Sequence, residues 1–115
     1  MVVCISAFSC VKQQEKVGYD QTISFDDVEL KVNHILDWRC PKDLDRSECI
    51  DGGNRCEVSV TMTKGIEEED FTIKLGQRKK ILGYSIKLVD VDPYPTVIEA
   101  FASPNSSAIF KIKKS

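Results

Sequence analysis

Apolar and polar residues alternate along most of the chain from Val17 to Lys113, and this period of two is the feature that most limits its fold. Residues 28–32, Val-Glu-Leu-Lys-Val, give the clearest example. Related runs occupy residues 17–25, 56–62, 71–75, 82–88 and 108–112. Strict alternation is the pattern of a strand with one buried face, and no amphipathic helical stretch exceeds two turns. The sequence therefore predicts an all-β protein.

Turn-forming residues separate these runs. Asp26-Asp27, Lys64-Gly65 and the proline-containing stretch 92–95 each interrupt the alternation. The alternation shifts by one near residues 89–91, which predicts a β-bulge, and residues 97–102 are a weak strand or a crossing loop. The acidic run Glu67–Asp70 is interpreted as a solvated loop. Six to seven short strands favour a small antiparallel β-sandwich, either Ig-like or a partly open barrel.

The length of 115 residues fits a single domain, which we place at residues 17–115. Residues 1–16 are interpreted as the remnant of a lipoprotein signal peptide followed by a polar tether. An apolar run ends in Ser9-Cys10, and Cys10 would become the lipidated first residue of the mature protein. A basic segment before the apolar run is missing. The competing interpretation is a short N-terminal strand or an apolar tail.

Charge gives no support for nucleic-acid binding. The net charge is −2, whereas phosphate binding needs a concentrated basic surface. Two short basic clusters, residues 78–80 and 111–114, are interpreted as solvated sheet edges, because lysine commonly blunts exposed strands. The competing interpretation is contact with nucleic acid or lipid. No apolar run reaches the roughly 18 residues that span a bilayer.

Three cysteines cluster around the polar segment between two alternating runs. A Cys40–Cys49 disulfide would close a small loop and stabilise it by about 2–3 kcal/mol, and a Cys40–Cys56 disulfide would close a longer one. We favour Cys40–Cys49, because parity places Cys56 on the apolar face of its strand as a buried thiol. A zinc site is the weaker interpretation, since the spacing contains no Cys-x₂₋₄-Cys pair.

The same segment holds the candidate partner-binding residues. Trp38 precedes the loop and is interpreted mainly as packing over the disulfide or the end of the sandwich. The acidic candidates are Asp43, Asp45, Glu48 and Asp51. Their spacing fits no known calcium loop, so we interpret them as solvated carboxylates. His34 is interpreted as a structural residue at the end of a strand, and no catalytic residue, cofactor or metal site is predicted.

The order Asp37-Trp38-Arg39-Cys40-Pro41, then Cys49 followed by Gly53-Asn54, resembles a family of small secreted or lipid-anchored bacterial β-proteins without an established activity. Their signature is approximately Asp-Ser-Arg-Cys-Pro, then Cys-x-Trp-x-Gly-Asn. A later Leu-Gly-Tyr-x-Ile-x-Leu strand leading to Pro-Tyr-Pro is similar in residues 82–95. Here Trp38 replaces the serine, Asp51 replaces the second tryptophan, and the intervening segment is longer. The resemblance implies an envelope location and supplies no reaction.

These observations predict a non-enzymatic bacterial cell-envelope domain that is anchored by lipid at Cys10. It would lie in the periplasm or at the outer membrane and bind an unidentified protein or small ligand. One alternative is an inhibitor-type module that presents the loop between Cys40 and Cys49. Another is a small metal-binding protein or enzyme that uses His34 or the acidic residues of the loop.

Overall fold

Two antiparallel four-stranded sheets pack face to face in the computed structural model, so the all-β sandwich prediction is confirmed. The structure describes residues 12–92, 94–95 and 106–114, and for residues 12, 13, 50 and 51 it describes the backbone only. The strands are β1 (Lys12–Gly18), β2 (Thr22–Phe25), β3 (Val28–Asp37), β4 (Cys56–Lys64), β5 (Glu67–Lys74), β6 (Arg78–Ile81), β7 (Tyr84–Asp92) and β8 (Ser107–Lys114). Two short 3₁₀ helices, η1 (Arg46–Glu48) and η2 (Ile50–Gly53), lie between β3 and β4.

The first sheet has the strand order β1-β8-β7-β6 and the second has β2-β3-β4-β5. Alternate side chains of the strands enter a single core between the sheets, as the period of two predicts. The alternation shifts at two bulges, between Val32 and His34 in β3 and between Leu88 and Asp90 in β7. The largest fully buried side chains include Tyr84, Phe110, Leu30, Ile35 and Met62. Phe25 and Tyr84 pack edge to face across the core, with their ring centroids 5.8 Å apart.

Residues 17–25 do not form one strand, although their alternation is continuous. β1 and β2 lie in different sheets, and Asp20 between them has φ = +60°, which turns the chain sharply. The Asp20 amide donates to the carbonyl of Val32 at 2.8 Å, which fixes the start of β2 against β3. Residues 12–16, which we assigned to the tether, form most of β1. The described part of the chain thus has eight strands, more than expected.

The acidic run Glu67–Asp70 is not a loop, which corrects the sequence interpretation. It forms the first half of β5, an edge strand in register with β4, and all four residues are exposed. Charged side chains are tolerated there because an edge strand contacts solvent along one side. The predicted bulge is confirmed, since the register of β7 and β8 shifts between Leu88 and Asp90. Residues 97–102 lie outside the described residues.

The two basic clusters differ in position. Residues 78–80 lie in β6, an edge strand as predicted. Residues 111–114 lie in β8, which has β1 on one side and β7 on the other, so the edge interpretation is wrong for them. Residues 111–114 have the periodicity of any half-exposed strand. Whether such a strand lies at the edge or in the interior of a sheet depends on its pairing with strands that are distant in sequence.

A polar contact joins the sheets where β3 and β7 begin. The Tyr84 hydroxyl lies within hydrogen-bond distance of two carboxylates in the β2–β3 turn, Asp26 at 2.9 Å and Asp27, which share its single proton. Burial, together with these carboxylates, raises the pKa of Tyr84. The Tyr84 hydrogen bond in turn lowers the pKa of Asp27. Lys64 and Lys114 lie 3.8 and 3.6 Å from Asp27 and Asp26 and offset their negative charge.

Candidate binding site at the stapled loop

The segment between β3 and β4 is closed by a disulfide between Cys40 and Cys49, with Cα atoms 5.6 Å apart. This confirms the favoured pairing over Cys40–Cys56. Cys56 is a free thiol with 3% exposure on the inner face of β4, as parity predicts. We call residues 38–55 the stapled loop.

Backbone contacts hold the base of the stapled loop closed. The Trp38 amide donates to the Arg55 carbonyl at 2.7 Å, and the Cys40 amide donates to the Gly53 carbonyl at 3.1 Å. Gly53 is buried with φ = +74°, and a Cβ there would lie 2.4 Å from the Cys40 Cβ. Only glycine fits this close approach, which explains the second residue of the Gly-Gly pair.

Arg39 joins the stapled loop to both sheets. Its guanidinium donates two hydrogen bonds of 2.8 Å to the Asp37 carboxylate at the end of β3. It also donates to the Val91 carbonyl at 2.7 Å and to Asp90 at 3.1 Å, both in β7 of the other sheet. The Tyr94 ring lies 4.6 Å from the Arg39 guanidinium, and its hydroxyl donates to the Cys40 carbonyl at 2.7 Å.

No role for Arg39 or Asp37 was predicted from the sequence. The available signal was an arginine and an aspartate two residues apart at the end of an alternating strand, where a bidentate pair can form. The contacts to Asp90, Val91 and Tyr94 span more than fifty residues of sequence and leave no local signal.

Burial and charge shape the ionisation of this cluster. Burial disfavours the charged Arg39 guanidinium, but the hydrogen bonds and charge of Asp37 outweigh burial and raise the pKa of Arg39. Burial, with the negative charge of Asp37, raises the pKa of Cys56 to about 12. Cys56 is therefore a neutral thiol at physiological pH and a poor nucleophile.

The predicted partner-binding residues lie at different depths. Trp38 is half-buried, with the Arg55 guanidinium 4.8 Å from the centroid of its ring. Asp43, Asp45 and Glu48 are exposed, and Asp45 accepts a hydrogen bond of 3.3 Å from the Ser47 amide at the start of η1. The backbone of Asp51 lies in η2 and its side chain is not described. The predicted lipidation residue, Cys10, lies outside the described residues.

The loop acids whose side chains are described do not gather into a metal centre. In the part of the chain that the structure covers, no three His, Cys, Asp or Glu side chains are arranged to hold a metal ion. His34 is half-buried and packs edge to face on Tyr19, with ring centroids 6.2 Å apart.

A groove that no sequence pattern predicted runs beside the stapled loop. It has a volume of about 510 Å³ and is lined by Asn54, Arg55, Cys56, Glu57, Lys74 and Leu75. Arg55 forms one wall, since its side chain stacks on Trp38 and lies 3.1 Å from the Glu57 carboxylate. The arrangement offers a polar concave surface next to the exposed rim of the loop.

Comparisons with protein-family models, with curated proteins and with solved structures give no match to this chain. Among the described residues, no helix has the length and apolar character needed to cross a membrane.

Proposed function

We propose that this protein is a non-enzymatic domain of the bacterial cell envelope, anchored by a lipid at Cys10. It binds an unidentified protein or small ligand through the stapled loop and the adjoining groove. The observation that carries the binding proposal is the rigid support of an exposed polar loop by a disulfide and by Arg39. A loop that is ordered before binding loses less conformational entropy on association, which favours affinity.

The envelope location is supported by two observations. A disulfide persists in oxidising compartments such as the bacterial periplasm. The resemblance in residues 37–41 and 49–54 to secreted and lipid-anchored bacterial β-proteins points to the same compartment.

The anchor is tested by intact mass spectrometry of the protein extracted from bacterial membranes. We expect a mature chain that begins at Cys10 and carries acyl mass. The Cys10→Ser variant should lose the acyl mass and leave the membrane fraction. A mature chain that begins elsewhere, or that carries no acyl mass, would rule out the anchor.

Loop-mediated binding is tested by crosslinking in cells with an Asp43→Ala, Glu48→Ala double variant. The matched control is Glu67→Ala, Glu68→Ala, which removes two exposed carboxylates from β5 instead. We expect the loop variant, and not the control, to lose crosslinked partners. Identical partner sets for the parent and both variants would contradict binding through the loop.

An inhibitor-type module is the second candidate, because the middle of the loop, residues 45–48, is exposed while Cys40 and Pro41 at its base are buried. This candidate would be favoured if a crosslinked partner is an enzyme whose activity is lost in the presence of the parent protein. The same enzyme should keep its activity in the presence of the loop variant.

A further inference from the structure

Basic residues that are far apart in the sequence lie together on the outer surface of the first sheet. Tyr84, Ile86 and Leu88 of β7 are buried in the core, so Ser85 and Lys87 belong to the opposite face. The same alternation in β8 buries Phe110 and Ile112 and places Lys111 and Lys113 on the outer face.

Strand register assembles these positions into two rows across the sheet. One row pairs Arg78 with Lys87, Lys87 with Lys111 and Lys111 with Gln14. The next pairs Lys80 with Ser85, Ser85 with Lys113 and Lys113 with Lys12. Neither row contains a carboxylate. The basic face is defined here as Arg78, Lys80, Lys87, Lys111 and Lys113.

The cations of the basic face have no anionic partner within the described residues. Some lysines outside the basic face do have one: Lys16 pairs with Asp92 at 2.9 Å and Lys31 with Asp20 at 3.4 Å. Asp90, at the bulge of β7, is already paired with Arg39. Like charges directly opposite one another destabilise a sheet, so folding gives no reason for this pattern.

Negative charge collects on the other sheet. Its outer face carries four acids, Glu29, Glu57, Glu68 and Asp70, and two lysines, Lys31 and Lys74, by their register with the outward-facing residues of β4. The outer faces of the two sheets therefore carry charge of opposite sign, although the net charge is only −2. Such a separation orients a protein in the field of a charged surface.

We propose that the basic face docks on a membrane surface that contains anionic phospholipids. Its cations lie on three adjacent strands of one sheet face and match a planar array of headgroup phosphates. Four of the five are lysines, whose compact charges suit diffuse attraction to anionic lipid. Neither row contains the aromatic side chains on which single-stranded nucleic acids stack.

The position at which β1 begins supports docking with the basic face toward the membrane. β1 begins at Lys12, which is paired with Lys113, so the backbone that follows Cys10 enters the sandwich at the margin of the basic face. This link rests on the proposed anchor, whereas docking by the basic face does not. Attraction by a basic surface and a lipid chain would act together on membrane affinity.

The test is co-sedimentation of the unlipidated full chain, Cys10→Ser, with vesicles. We expect binding to phosphatidylcholine mixed with phosphatidylglycerol, weaker binding as salt rises, and none to phosphatidylcholine alone. Lys87→Gln with Lys111→Gln should weaken binding about 30-fold, from the contribution of two lysines near an anionic surface. The control Lys31→Gln with Lys74→Gln removes the same charge from the second sheet and should bind like the parent.

Equal weakening by both pairs, or no binding to the anionic vesicles, would overturn the proposal. Thermal unfolding checks that each variant is folded. If the first pair unfolds early, Lys80→Gln with Lys113→Gln tests the other row in the same way. Nucleic-acid binding measured by fluorescence anisotropy, lost in these variants and accompanied by no vesicle binding, would also overturn it. Because no lipidated protein is used, failure here leaves the anchor proposal standing.

Discussion

Arg39 decides how the stapled loop is attached to the sandwich. Its side chain and that of Asp37 are 11% and 6% exposed, so the pair is largely removed from water. Charged groups this deep are retained when their hydrogen bonds are made, and each of the three Arg39 guanidinium nitrogens finds an acceptor among the Asp37 carboxylate, Asp90 and the Val91 carbonyl. The residue beside the conspicuous Trp38 thus organises the site.

Arg39→Met should lower the free energy of unfolding by about 3–5 kcal/mol, because it leaves the Asp37 carboxylate buried without its cation. Arg46→Met is the matched control, since Arg46 is exposed in η1, and it should change stability by less than about 0.5 kcal/mol. Urea unfolding followed by circular dichroism measures both. Equal effects would show that the Arg39 contacts contribute little.

The buried Cys56 thiol makes stability depend on alkaline pH. Its pKa is raised to about 12 in the folded state, against 9.0 for an unperturbed thiol. The folded state therefore holds one more proton between these values, and stability falls as pH rises through that window, by about 1.4 kcal/mol per pH unit. In a Cys4→Ser, Cys10→Ser background, stability should fall more from pH 8 to 10 than in the same background with Cys56→Ala. Parallel profiles would contradict a perturbed thiol.

At the scale of elements, side-chain alternation predicted most strands and the disulfide. It did not predict which strands lie next to one another in each sheet. Cys40 and Cys49 could be paired because parity assigned Cys56 to the core. The first half of β5 was misinterpreted because its acidic run does not alternate. The internal position of β8 was missed because its hydrogen bonding to the distant β1 leaves no trace in periodicity. The closed base of the stapled loop likewise depends on Gly53 meeting Cys40.

Gly53→Ala should open the base of the loop, and Gly52→Ala gives a close control. Both glycines have positive φ, 74° and 71°, so both substitutions carry the conformational cost of about 1–2 kcal/mol. Only at Gly53 would the new Cβ collide with Cys40, which adds about 1–3 kcal/mol. Thermal unfolding should therefore show a distinctly lower midpoint for Gly53→Ala. Equal midpoints would mean that the loop base relaxes freely.

At the scale of the whole molecule, polar contacts join the two sheets at two places. One lies near the starts of β3 and β7, and the other lies near their ends. Tyr84 at the start of β7 reaches the turn before β3, and Asp90 and Val91 near its end bind Arg39 after β3. The apolar core lies between these contacts. The sandwich therefore has directional contacts at each end in addition to nonspecific burial.

The Asp27 contact should contribute to acid sensitivity. The hydrogen bond from Tyr84 lowers the pKa of Asp27 in the folded state, so the contribution is present above the unfolded value near 3.8. It is lost as pH falls through the lower folded value. Asp27→Asn should therefore flatten the acid limb of the stability profile relative to Asp43→Asn, which removes an exposed carboxylate from the stapled loop instead. Urea unfolding at a series of acidic pH values measures this.

The sequence by itself determined the all-β class, the Cys40–Cys49 disulfide, the buried Cys56 and the bulge in β7, because side-chain alternation reports locally which residues face the core. The tertiary structure alone decided that β1 and β2 separate into different sheets, that Arg39 joins both sheets, and that β6, β7 and β8 combine their lysines into one face. Those features depend on register and on the stacking of strands far apart in the chain. The free energy of such pairing comes from contacts that no local pattern encodes.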